Sequence, residues 1–123
     1  MIDHVGYEVT DLERSARFYD AVLYPLGVRR MVRSEHAIAY GINEPRVWIV
    51  TRPGPPRVPG PGYGHVALNA SGKAAVDAAY RSGLAAGGTD DGPPGIRPHY
   101  GERYYAAYLR DPDGLRVEVV SRR

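Results

Sequence analysis

The feature that most constrains the fold is an internal repeat. His65-Val66 repeats His4-Val5 after 61 positions, and the same offset relates further positions of similar type along the chain. The related pairs are His4 and His65, Thr10 and Ser71, Tyr19 and Tyr80, Leu23 and Leu84, and Gly27 and Gly88. A repeat of this kind indicates one structural unit used twice. The sequence therefore predicts two similar modules, at residues 1–52 and 63–123, within a single domain of 123 residues.

The first module begins with an alternating segment, Ile2–Val9, which is typical of a half-buried strand. Thr10 and Glu13 have the spacing of a capping box, so we expect a helix to start near residue 11. Pro25 and Gly27 end that helix. Three further strands are predicted near residues 28–33, 37–41 and 46–51. The module therefore has the order βαβββ.

The second module follows a segment at 53–62 that is rich in proline and glycine, which we interpret as a linker. A strand is expected at Gly64–Asn69 and a helix at Gly72–Ala86. The inward positions of that helix are predicted to be Val76, Ala79, Tyr80 and Leu84, with Ser71 as its cap. Residues 89–98 are interpreted as loop-rich with one short strand, followed by strands at 103–110 and 115–121. The predicted fold class is α+β, with two βαβββ modules forming a cupped mixed sheet.

The last two strands are joined by Asp111-Pro112-Asp113-Gly114, which has the residues that a tight turn requires. After the turn, Val117 and Val119 share one face of the strand, and Glu118 points to the other with Arg116 and Val120. Glu118 therefore sits in the middle of a strand among apolar neighbours. A carboxylate in such a place must be paired, hydrogen-bonded or bound to a metal.

The repeat places His4 and His65 at equivalent positions of equivalent strands, on the face opposite the valines. If the modules are related by a pseudo-two-fold axis, these two imidazoles and Glu118 converge as a 2-His-1-carboxylate metal site. Such a site leaves coordination positions open for substrate or water. The alternative is that each histidine is an ordinary core residue that donates to a backbone carbonyl.

Composition excludes several classes of protein. The chain has no cysteine, and therefore neither disulfides nor thiolate chemistry. It contains no apolar run of 18 residues and no signal-peptide pattern at its N-terminus, so we expect a cytoplasmic protein without a membrane partner. Its 16 basic residues are scattered, which argues against nucleic acid. The chain has ten tyrosines and is expected to have exposed sheet edges, and both are commonly buried at subunit interfaces. We therefore expect a homodimer.

The chain resembles members of the vicinal oxygen chelate superfamily, which includes glyoxalases, bleomycin resistance proteins and extradiol dioxygenases. The resemblance covers essentially the whole chain and is carried by residues 3–6, 11–19, 64–67 and 110–114, together with Glu118. It implies two βαβββ modules around a divalent metal, with His4, His65 and Glu118 as ligands. Glyoxalase-type relatives add a fourth ligand, a Glu on the last strand of the first module, where this chain has Val47-Trp48-Ile49-Val50.

A narrower resemblance links the second module to extradiol dioxygenases. In those enzymes a His and a Tyr with acid-base and orienting roles precede an Asp-Pro-x-Gly turn and the ligand Glu. His99 and Tyr108 have that spacing to residues 111–114, although Ala107 and Arg97 depart from the pattern. The resemblance therefore implies catalytic roles for His99 and Tyr108; the alternatives are a solvated loop histidine and ordinary packing.

We therefore expect a metalloenzyme that binds a small substrate through vicinal oxygens and acts by lyase, isomerase or ring-cleaving oxygenase chemistry. The cofactor would be a divalent metal, either Fe, Zn, Ni or Mn. The alternative is a bleomycin-resistance-type protein that binds a ligand without catalysis; a thiol transferase is a third possibility within the same fold. The sequence leaves open whether one chain holds the whole metal site or two subunits share it.

Overall fold

The structure, a computed structural model, describes residues 1–55 and 64–123. The first module contains β1 (Val5–Glu8), α1 (Leu12–Leu23), β2 (Arg29–Arg33), β3 (Ala37–Gly41) and β4 (Pro45–Val50). The second contains β5 (His65–Asn69), α2 (Lys73–Ala85), β6 (Thr89–Ile96), β7 (Tyr105–Arg110) and β8 (Arg116–Ser121). This is the predicted βαβββ order, twice. The predicted linker at 53–62 falls mostly outside the described residues.

Each module forms a four-stranded mixed sheet of the same topology. The strand orders are β1-β4-β3-β2 and β5-β8-β7-β6, with the first strand of each module parallel to its last and the other neighbours antiparallel. A short 3₁₀ turn, Tyr24–Leu26, follows α1, and a second one, Pro98–Tyr100, precedes β7. Neither described helix is long and apolar enough to cross a bilayer.

One hydrophobic core joins the two modules. It contains side chains from both helices and from one face of each sheet, including Phe18 and Val22 of α1, Val76 and Ala79 of α2, and Leu109 of β7. The helices contact each other directly within this core. The opposite face of each sheet consequently points away from the shared core. The predicted alternation in β8 is confirmed, because Val117 and Val119 are core residues.

The helix boundaries are close to those predicted, but the caps differ. Asp11 caps α1 by accepting a hydrogen bond from the Arg14 backbone N–H, whereas the Thr10 hydroxyl donates to Asp113 in the β7–β8 turn. Gly72, without a side-chain cap, precedes α2, so the prediction of Ser71 as its cap was wrong. The sequence spacing correctly predicted a hydroxyl residue near each helix start, but the Thr10 hydroxyl binds Asp113 of the second module rather than capping α1.

Two expectations for the second module were also wrong. Leu84 is not inward but 37% exposed, and Gly83 is buried in its place against Phe18 of α1. Residues 89–96 form an eight-residue strand despite Pro93 and Pro94. This strand, β6, lies at the edge of its sheet and pairs with β7 only, through a register shifted between Asp90 and Gly95. An edge strand with bulges tolerates prolines because their missing N–H groups are not needed by a second neighbour.

Candidate metal centre

Glu118 occupies the centre of the second sheet. Its strand, β8, lies between β5 and β7, which places Ala67 on one side of Glu118 and Tyr108 on the other. The side chain points away from the shared core, as the alternation predicted, yet the residue is only 2% exposed. A buried carboxylate requires hydrogen bonds to offset the loss of water.

Both carboxylate oxygens of Glu118 have hydrogen-bond partners. The Nε2 atom of His65 lies 2.8 Å from Oε1, and the hydroxyl of Tyr104 donates to Oε2. The pKa of Tyr104 is raised to about 12, first by burial and then by its hydrogen bond to Glu118. Tyr104 therefore remains a protonated donor at neutral pH and binds the carboxylate oxygen that His65 does not contact.

Tyr108, one of the two residues predicted to be catalytic, lies beside this pair. Its ring packs edge-on against the imidazole of His65, with a centroid distance of 6.0 Å. Burial raises the pKa of Tyr108, and the negative charge of Glu118 raises it further. The guanidinium of Arg116 lies 4.3 Å from the ring centroid and is held by an ion pair with Asp91. Tyr108 is therefore a neutral phenol with a cation over its face.

His99, the other predicted catalytic residue, is placed differently. It lies in the 3₁₀ turn Pro98–Tyr100 and is exposed. It makes no hydrogen bond or ion pair with any described residue, so no contact in residues 1–55 and 64–123 directs its ring toward His65 or Glu118. Its proposed proton-transfer role is a prediction that this single chain does not test.

The first predicted ligand, His4, lies in the other module. It immediately precedes β1, its side chain is 56% exposed, and its Nδ1 atom is 2.8 Å from Asp3. Its ring is in edge contact with Trp48, at a centroid distance of 6.4 Å. Within residues 1–55 and 64–123 of one chain, no three His, Asp or Glu side chains gather closely enough to hold a metal ion. The structure thus brings together His65 and Glu118 but not His4.

Sequence reasoning gave Tyr104 no firm role. The signal was available, because Tyr104, Ala106 and Tyr108 alternate along one face and lead directly to the side of the sheet that carries Glu118. These three residues and Val120 form a small apolar cluster outside the main core. That cluster removes water from the carboxylate, which is why Glu118 depends on its two donors.

The donor set fits a divalent metal as a half-site. An imidazole nitrogen and a carboxylate oxygen suit borderline metals such as Zn, Ni and Fe, and the two are already adjacent on a rigid sheet. One further ligand from outside this module would complete a three-ligand site.

Two depressions lie near these elements. An open pocket of about 310 Å³ is lined by residues 100–104 and Arg122, next to the Tyr104 ring. A larger one, of about 480 Å³, lies between the β3–β4 hairpin and the end of β5, and none of the predicted site residues lines it. We take the first as the one related to the chemistry, because Tyr104 connects it to Glu118.

Comparison with known proteins agrees with the topology. The family model of the Glyoxalase/Bleomycin resistance protein/Dioxygenase superfamily matches residues 1–119. The chain belongs to this superfamily. Its members commonly use a divalent metal, bind small molecules and are often dimers. The family resemblance and the fold class predicted from the sequence are therefore confirmed.

Solved structures of the superfamily resemble the chain over nearly its full length. A glyoxalase/bleomycin resistance protein from Albidiferax ferrireducens T118 is 36% identical, with a TM-score of 0.84 over 96% of this chain and 95% of that one. A glyoxalase-related enzyme from Fulvimarina pelagi is 26% identical, with a TM-score of 0.76 over 98% and 86%. A lactoylglutathione lyase from Agrobacterium tumefaciens, 22% identical with a TM-score of 0.66 over 98% and 92%, shares the fold. A search of curated proteins finds no match.

Proposed function

We propose that the chain is a divalent-metal enzyme that acts on a small substrate bound through two vicinal oxygens, by lyase, isomerase or oxygenase chemistry. The observation that carries the proposal is the buried Glu118, which is shared between His65 and Tyr104 on a sheet face outside the main core. A fold that needed only stability would place an apolar residue there, since burying a carboxylate is costly.

We further propose that the metal site is shared between two copies of the chain. His4 and the His65–Glu118 pair lie on sheet faces that both point away from the common core. A second copy related by a two-fold axis would bring the first-module face of one subunit against the second-module face of the other. Each of the two sites so formed would take His4 from one subunit and His65 with Glu118 from its partner.

The chain's own residues would supply the environment for the reaction. A bound divalent metal would polarise the substrate oxygens and stabilise negative charge that develops on them. The Nε2 atom of His65, 2.8 Å from Glu118 Oε1, would be a metal ligand beside that carboxylate, while Tyr104 keeps Glu118 oriented through Oε2. Tyr108 would hold a proton at its hydroxyl oxygen and act as a donor, because its raised pKa opposes ionisation. We propose His99 as the group that carries protons to and from solvent.

Metal content provides the first test. Protein purified without a histidine tag and loaded with Ni²⁺ should bind about one ion per chain, and both His4→Ala and Glu118→Ala should lose it. Tight binding of an organic ligand by metal-free wild-type protein, with no measurable metal uptake, would instead identify a passive binding protein.

Subunit complementation tests the shared site. A mixture of His4→Ala and Glu118→Ala chains, refolded together, should recover about a quarter of the wild-type metal capacity, because half of the random dimers are mixed and each has one intact site. If each chain holds its own site, the mixture will bind no more metal than the separate variants do. Refolded wild-type protein is the control for recovery.

A further inference from the structure

Trp48 occupies, in the first module, the position that Glu118 occupies in the second. Trp48 pairs with Gly6 of β1, and Glu118 pairs with Ala67 of β5, which follow His4 and His65 by the same number of residues. The same register relates Ala39, opposite Trp48 on β3, to Tyr108, opposite Glu118 on β7. Trp48 therefore projects from the outward face of its sheet.

The indole is not used as a core residue. Trp48 belongs to neither hydrophobic cluster and is half-buried. Its neighbours across the two adjacent strands, Gly6 and Ala39, are too small to cover a ring of that size. Within the part of the chain that the structure describes, the indole N–H donates to no acceptor. Part of the indole surface is thus left open on the same face as His4.

Trp48 is also within reach of the proposed metal ligand. Its ring meets that of His4 edge-on, at a centroid distance of 6.4 Å and an interplanar angle of 64°. A molecule held by a metal at His4 would have its remaining atoms beside the indole. A glutamate at position 48 would be a further metal ligand. Trp48 presents a flat apolar surface there instead.

We propose that Trp48 forms an aromatic wall of the shared site and selects substrates whose vicinal oxygens are carried on a planar, conjugated ring. This inference rests on the proposed metal site and specifies its substrate class. An indole face attracts a flat π-system by offset stacking and by burial of apolar area, and it gives little to a small aliphatic molecule. Trp48 is therefore a specificity residue rather than a ligand.

The experiment compares two ligands that differ in the ring. Binding of 4-nitrocatechol and of glycolate to Ni²⁺-loaded protein is measured by calorimetry for wild type, Trp48→Leu and the control Tyr24→Leu. Tyr24 is an exposed aromatic residue, 65% accessible, that contacts Arg29. Trp48→Leu should weaken 4-nitrocatechol about tenfold, equivalent to about 1.4 kcal/mol, and change glycolate binding less than about twofold. Tyr24→Leu should change neither.

Fluorescence gives an independent readout, because Trp48 is the one tryptophan in the sequence. Titration with 4-nitrocatechol should quench wild-type emission with the same midpoint that calorimetry gives. Equal weakening of both ligands by Trp48→Leu, or binding of 4-nitrocatechol without quenching, would overturn the role of Trp48 while leaving the metal site intact. Absence of Ni²⁺ binding in wild type would overturn the proposed function, and the inference about Trp48 with it.

Discussion

The two modules use the same backbone framework for different surfaces. In the second, the central outward position holds Glu118, flanked by Tyr108 and bonded to His65. In the first, the same position holds Trp48, flanked by Ala39 and in contact with His4. Both modules keep a histidine at the start of the first strand, and they differ in what accompanies it.

The two modules differ in the chemistry of this position: the second buries a carboxylate there, and the first carries an indole. A carboxylate beside the apolar cluster of the second sheet is tolerated because it has two hydrogen-bond donors, His65 and Tyr104. The first sheet offers no such donors to Trp48, and an indole needs none for its apolar surface. One half is therefore built to hold charge, and the other to present a flat apolar surface.

The largest expected effect is the loss of metal when the charged half is changed. Glu118→Ala should weaken Ni²⁺ binding by at least about a hundredfold, because a ligand is removed and His65 is left without its partner. Isothermal titration calorimetry measures this directly. Trp48→Phe is the matched variant in the other half and should retain wild-type affinity within a few-fold. Equal losses in both variants would contradict the division between the modules.

The hairpin that ends each module is also held differently, with more buried polar contacts in the second module than in the first. In the second, the buried Asp111 accepts hydrogen bonds from the Tyr19 hydroxyl of α1, at 2.8 Å, and from two backbone N–H groups of its own turn. In the first, the β3–β4 hairpin lines the open pocket of about 480 Å³. Stability should therefore depend more on the second hairpin.

Tyr19→Phe tests this dependence. It leaves one oxygen of the buried Asp111 without a donor and should reduce the free energy of unfolding by about 2 kcal/mol. Tyr40→Phe is the matched change in the first module, where the acceptor Asp20 keeps two bonds from Arg30 and the loss should be about half as large. Urea unfolding of both variants gives the comparison, and a larger loss in Tyr40→Phe would contradict it.

Trp48→Glu would make the two halves alike. A carboxylate at this position should act as a further ligand and tighten Ni²⁺ binding about tenfold, since the register places it as Glu118 is placed. Calorimetry at one pH provides the measurement, with Trp48→Gln as the uncharged control. If Trp48→Glu binds the metal no better than Trp48→Gln, positions 48 and 118 share a place in the strand register but not the ability to supply a metal ligand.

Tyr104→Phe should have the smallest effect, and that effect should depend on pH. The raised pKa of Tyr104, about 12 in the folded chain, means that its stabilising contribution is complete below pH 10 and is lost as pH rises through 12. We expect Tyr104→Phe to lower the free energy of unfolding by about 1 kcal/mol at pH 8. The difference from wild type should shrink in urea titrations above pH 10; a constant difference would contradict the assignment.

Sequence alone predicted the architecture and the position of Glu118 on the outward face of its strand. The repeat, the Asp-Pro-Asp-Gly turn and the alternation around Glu118 can all be seen in the residues themselves, so the modules and the outward glutamate could be predicted from them. The strand at 89–96 was missed because its prolines are permitted by its edge position, which depends on the whole sheet. The separation of His4 from His65 within one chain could not be predicted, because a repeat does not determine how its two copies pack together.

The shared core draws only on the inner faces of the sheets and on the two helices. Trp48 is not one of the side chains of that core, so a change at Trp48 leaves the interior filled. Because the core and the outward surface use different residues, point substitutions can change ligand specificity with little loss of folding stability. The scaffold is accordingly suited to changing the surface of the first module while Glu118 and its hydrogen-bond partners in the second module stay as they are.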